Sequence, residues 1–121
     1  MIGGGTVEIQ VRKDANRNVQ VISMRGDLKV GDAVDDLRRT ITQTLGSGNS
    51  RIVFDLSDVK MLDSSGIGVL VRTLTAVKQR GGNAKLVNPS EYALQSLQRV
   101  GLAELFQIYH DKETATDSFA N

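Results

Sequence analysis

A chain of 121 residues with 40% apolar side chains can bury one core, and 15 basic against 14 acidic residues leave no charge block that would announce nucleic acid or an anionic membrane. The absence of cysteine excludes disulfide and thiolate chemistry, and 4% aromatic residues with no Trp supply base-stacking platforms poorly. No basic segment followed by an apolar run opens the chain and no stretch approaches the ~20 apolar residues of a membrane span, so one soluble cytoplasmic domain over 1–121, with its core over about 6–117, is expected.

Met1 to Gly5 reads as a flexible lead. From Thr6 to Lys13, Val7, Ile9 and Val11 alternate with Glu8, Gln10 and Arg12, the period of a half-buried edge strand. The turn formers of 14–18 lead into a second alternating run, Val19 to Met24, which predicts a hairpin. Arg25-Gly26-Asp27-Leu28 interrupts it. Asp32 then caps a predicted helix in which Ala33, Leu37, Ile41 and Leu45 recur every four residues, and Gly46 to Ser50 ends that helix. The compact apolar run from Arg51 to Leu56 predicts a central strand buried on both faces.

The stretch 61–82 is a loop opening into the strongest helix of the chain. Asp63, Ser64 and Ser65 carry short side-chain oxygens that can accept from the free N–H groups of a first turn; Ile67, Leu70, Val71, Leu74 and Val77 give one apolar face. Lys78 and Arg80 suit the negative end of the dipole, and Gly81-Gly82 supplies a left-handed C-cap. A hydroxyl at the start of this helix stands where a phosphate is tolerated, while Gly66 and Gly68 leave the first turn bare enough for another surface to approach. The plainer reading is that Asp63 and Ser64 only cap the helix while the glycines pack against a neighbouring strand. Beyond it come a predicted strand at Ala84 to Val87 and a helix capped by Ser90 and carrying Ala93, Leu94, Leu97 and Val100. A short strand from Leu105, Phe106, Ile108 and Tyr109 and a terminal helix within Asp111 to Phe119 complete the order. Helices alternating with strands after a hairpin imply an α/β sheet.

Catalytic signals are few. The single histidine, His110, lies far from Ser65 in sequence and reads as a solvent-facing residue; no G-x-S-x-G elbow is present. Gly-Ser-Gly at 46–48 and Gly-Ile-Gly at 66–68 lack the further glycines and Lys of phosphate-binding loops, and Asp55, Asp58 and Asp63 are explained more simply by capping and solvation than by a metal.

With a hairpin, Gly26-Asp27-Leu28, a helix, a strand and then Asp55-Leu56-Ser57-Asp58-Val59-Lys60-Met61-Leu62-Asp63-Ser64-Ser65-Gly66-Ile67-Gly68-Val69-Leu70, the sequence resembles the STAS family, and within it the anti-sigma factor antagonists of bacteria. The resemblance runs on through Gly81-Gly82, Lys85-Leu86-Val87, Asn88-Pro89-Ser90 and Val100 to Tyr109. It implies a mixed sheet of four to five strands with about four helices largely on one side, no catalysis, no cofactor and no metal. It further implies a switch in partner-switching control of transcription. An anti-sigma factor that is also a serine kinase phosphorylates Ser65, with Ser64 as second choice; the unphosphorylated form binds that anti-sigma factor and releases a sigma factor; a phosphatase resets the system. Asp27, Leu28, Asp63, Ser64, Ser65, Gly66 and Ile67 are the implied docking residues, with Ser64 expected as the capping hydroxyl and Leu28 and Ile67 as exposed or half-exposed apolar anchors. Lys29 departs from the family, in which an acidic residue commonly follows. The alternative under the same resemblance is a scaffold or regulatory subunit of a stress-sensing or transport complex.

Overall fold

The computed structural model describes residues 7–119, so the lead Met1 to Gly5 and Thr6 lie outside the described residues. β1 (Glu8–Asp14) and β2 (Val19–Arg25) pair antiparallel as the predicted hairpin. Its turn is closed by Asp14, whose Oδ1 accepts the N–H groups of Asn16 (3.0 Å) and Arg17 (3.2 Å). There follow α1 (Asp32–Gly46), β3 (Arg51–Asp58), α2 (Ser64–Gln79), β4 (Asn83–Val87), α3 (Glu91–Arg99), β5 (Ile108–Tyr109) and α4 (Lys112–Asp117). The sheet order is β1-β2-β3-β4-β5, with every pair after the hairpin parallel.

A strand buried on both faces must be apolar at successive positions, and β3 is. Ile52, Phe54 and Leu56 join the larger core with Leu37 and Ile41 of α1, Leu70 and Leu74 of α2, and Leu97 of α3; Val53 faces the smaller core with Val19, Val21, Val87, Ala115 and Phe119. Three helices therefore cover one face and α4 covers part of the other. This explains why β2, read as a simple alternation, is buried almost throughout, Gln20 included. On the α4 side Lys85 is buried, its Nζ donating to Ser118 Oγ (2.6 Å) and lying 4.2 Å from the Phe119 ring centre.

Three local expectations change. Gly31, at φ 119, occupies the N-cap of α1 and Asp32 is already its first helical residue, with no side-chain cap bond. Val100 is the exposed C-cap of α3 rather than one of its helical residues. Leu105 closes a short 3-10 turn (Ala103–Leu105), which leaves only Ile108 and Tyr109 to pair with β4. The parallel strands β2, β3 and β4 all end at one edge, which brings the loops 26–30 and 59–63 and the turn 88–90 together there.

Candidate functional site

The site is built on two loops that zip together before α2 begins. Gly26 N–H donates to Asp58 O (3.0 Å), Leu28 N–H to Met61 O (2.9 Å) and Asp63 N–H to Leu28 O (3.2 Å), so the segment after β2 runs alongside the segment after β3 as an extra, short parallel pairing. Asp63 ends that pairing and caps α2. Its Oδ1 accepts Gly66 N–H (3.0 Å) and its Oδ2 accepts Val30 N–H (2.9 Å), so one carboxylate holds the helix start and the neighbouring loop at once.

That arrangement corrects the expectation for Ser64. The extended N-cap conformation belongs to Asp63 (φ −91, ψ −179); Ser64 is the first helical residue, exposed, and makes no capping bond. A carboxylate offers two separate acceptor oxygens where a hydroxyl has one, and both are used, Oδ1 by Gly66 and Oδ2 by Val30. Ser65 is half-exposed at the second helical position. The first intrahelical bond is from Ile67 N–H to Asp63 O (2.9 Å), so the N–H groups of Ser64 and Ser65 precede the ladder and have no partner within it.

The expected apolar anchors are also corrected. Leu28 is 0% exposed and Ile67 4%, both within the larger core, because the loop pairing turns Leu28 inward and Ile67 starts the buried stripe of α2. They support the site from beneath. Gly66 is not a bare docking face either: a Cβ there would lie 2.7 Å from Leu28 O and 2.9 Å from Leu62 Cδ1, so glycine is what allows the helix and loop to touch. Gly68 differs, since a Cβ there would meet only the Arg72 guanidinium, at 3.5 Å. Asp27 is half-buried, 3.8 Å from Lys29 Nζ. Sequence reasoning missed Val30 (75% exposed) and Met61 (39% exposed), which flank this corner. The available signal was an apolar side chain stranded among polar loop residues.

The STAS domain family model matches residues 10–115. The chain belongs to the STAS domain family. It is 30% identical over 102 residues to the anti-sigma-B factor antagonist of Bacillus subtilis (strain 168), covering 84% of this chain and 92% of that one. Its fold matches the anti-sigma factor antagonist SpoIIAA in unphosphorylated form with a TM-score of 0.79 at 25% identity, covering 92% of this chain and 95% of that one. It also matches the phosphorylated form of SpoIIAA from Bacillus, with a TM-score of 0.74 at 24% identity over 93% and 100% of the two chains. Among the described residues no three His, Cys, Asp or Glu side chains gather as a metal site, and no helix is long and apolar enough to cross a membrane.

Proposed function

We propose that this STAS domain is an anti-sigma factor antagonist switched by phosphorylation of Ser65. The observation that carries the reading is the half-exposed Ser65 hydroxyl on the first turn of a helix whose start is held by Asp63 and Gly66 against the loop 27–30. A rigidly placed hydroxyl beside unbonded N–H donors suits both a partner's grip and a phosphate. In this reading an anti-sigma factor that is also a serine kinase binds the corner formed by Asp27, Asp63, Ser64, Ser65 and the exposed Val30 and Met61. Binding releases a sigma factor, phosphorylation ends it, and a phosphatase restores it. The chain acts by binding and catalyses nothing.

The mechanism is local charge. A phosphate adds roughly −1.5 to −2 charges at neutral pH, whereas the helix dipole returns only about 0.3 to 1 kcal/mol at an exposed site. One like-charge contact near 4 Å at an effective dielectric of about 20 costs about 4 kcal/mol, so affinity for the partner should fall at least about a hundredfold. The fold should persist, because the half-exposed Ser65 side chain lies outside the buried core.

Peptide mapping of the protein taken from its own cells tests the acceptor, and affinity capture with parent and Ser65→Glu baits tests the switch. The phosphate is expected on Ser65, and an anti-sigma factor is expected on the parent bait alone, with unchanged circular dichroism. Phosphate on Ser64, or equal capture by both baits, overturns the reading. Ser64→Ala should change stability by less than about 0.5 kcal/mol, since its exposed hydroxyl caps nothing.

A further inference from the structure

Seven residues past Ser65, Arg72 stands on the same face of α2, because seven steps of an α-helix return to within about 20° of the starting direction. Its Cα is about 10.5 Å farther along the axis. The side chain is exposed but leans back along the helix. It runs toward the N-terminus of the helix, with Val69 beside it at the edge of the groove between α1 and α2, and lays its guanidinium alongside the bare backbone of Gly68. A Cβ on Gly68 would stand 3.5 Å from Arg72 Nη2 and 4.0 Å from Cζ. The guanidinium therefore lies beside Gly68, a position that stands between Arg72 and Ser65 along the helix. Among the described residues it makes no hydrogen bond and no ion pair, whereas Arg38, on the other wall of the groove, is held by Asp35 at 3.6 Å.

We propose that Arg72 is the cation that receives the phosphate of Ser65 within the same chain, a device that rests on the reading of Ser65 as the phosphoacceptor. The guanidinium has five donors in a planar fork that matches phosphate oxygens, and the glycine at 68 puts no side chain of its own between the two groups. The carboxylate nearest in sequence, Asp63, has both oxygens committed to the N–H groups of Gly66 and Val30, and Asp27 faces Lys29 on the adjoining loop. Phosphorylation then does two things at once: it adds negative charge at the docking corner and it draws Arg72 across the first turns of α2, changing the surface a partner meets. Ser64 points elsewhere, about 100° away around the helix, and a phosphate there lies outside this reach.

The test uses the full chain carrying phosphoserine installed at position 65 during translation, with phosphoserine at 64 as the control, each with Arg72, Arg72→Gln or Arg72→Lys. Phosphorus NMR follows the second ionisation of the phosphate, which lies near about 6 when unperturbed. At position 65, Arg72→Gln should raise the titration midpoint by about 0.3 unit or more, Arg72→Lys should restore part of the difference, and at position 64 neither change should register. Equal midpoints for Arg72 and Arg72→Gln at position 65, or equal shifts at 64 and 65, would overturn the assignment. Peptide mapping of the protein from its own cells separates this outcome from the underlying one. Absence of phosphate on Ser65 sinks the phosphoacceptor reading, whereas the titration of the installed phosphate speaks to Arg72 alone.

Discussion

Both α2 and α4 begin with an aspartate whose Oδ1 accepts the N–H three residues on, yet the two openings differ in what lies behind the cap. Asp63 is half-buried, ties a second loop through Oδ2, and sits over Ile67 and Leu28 in the larger core with Gly66 in backbone contact. Asp111 is exposed and caps a helix of six residues through Thr114 N–H (2.7 Å), with no tie to a second loop. That helix is fastened to the reverse face by Ala115 and Phe119, by Lys85 on Ser118, by Asp117 on Arg17 (3.1 Å) and by Lys112 facing Asp55 at 3.8 Å. A cap of the same chemistry thus fixes a site in one place and only finishes a surface helix in the other. Rigidity comes from the second oxygen and the core, not from the cap itself.

The largest break in that comparison is Ile67→Asp. A carboxylate in the core beneath α2 has no partner there, and the loss should exceed about 4 kcal/mol, enough to abolish the cooperative melt. A folded Ile67→Asp protein would return Ile67 to the docking surface.

Next comes the pair of glycines. Gly66→Ala forces a methyl against Leu28 O and Leu62 and should cost about 1–3 kcal/mol, while Gly68→Ala meets only the movable end of Arg72 and should gain up to about 1 kcal/mol through helix propensity. Opposite signs in urea unfolding are the expected result; equal effects would mean that the loop contact at Gly66 is slack.

The caps themselves sharpen the contrast. Asp63→Ala removes acceptors from Gly66 and Val30 and should cost about 2 kcal/mol, with faster amide exchange in both the loop 27–30 and the first turn of α2. Asp111→Ala should speed exchange only within Lys112–Asp117.

The smallest effect is one of pH. The Thr114 backbone N–H, followed by its side chain, holds the Asp111 carboxyl below its ordinary value of 3.8. A group depressed in the folded state contributes stability that is complete above its ordinary value and is lost as pH falls through the folded one. Acidification below about pH 4 should therefore shift the Thr114 amide resonance as the cap is protonated, with α4 fraying in the same range. An unchanged Thr114 resonance down to pH 2 would remove Asp111 from the account.

Local patterns were enough to place the hairpin, the central strand 51–56, the Ser90 cap and the boundaries of α2, since each depends on periodicity and capping within a few residues. The Asp-Ser-Ser-Gly stretch with its flanking segments was also enough to point to the STAS family. What no short window could decide was which residues of the site face out. Leu28 and Ile67 look as available as Val30 and Met61 until the loop 26–30 pairs with 59–63 and turns the first two inward. Likewise Ser64 and Asp63 are both good capping residues, and Asp63 takes the position because Val30, 33 residues away, occupies its second oxygen. Gly66 had the appearance of an open surface because glycine's small size is visible in a sequence, whereas the carbonyl of Leu28 that requires it is brought there only by the fold. Burial and hydrogen-bond partners belong to pairs of segments distant along the chain, and only tertiary packing sets those pairs.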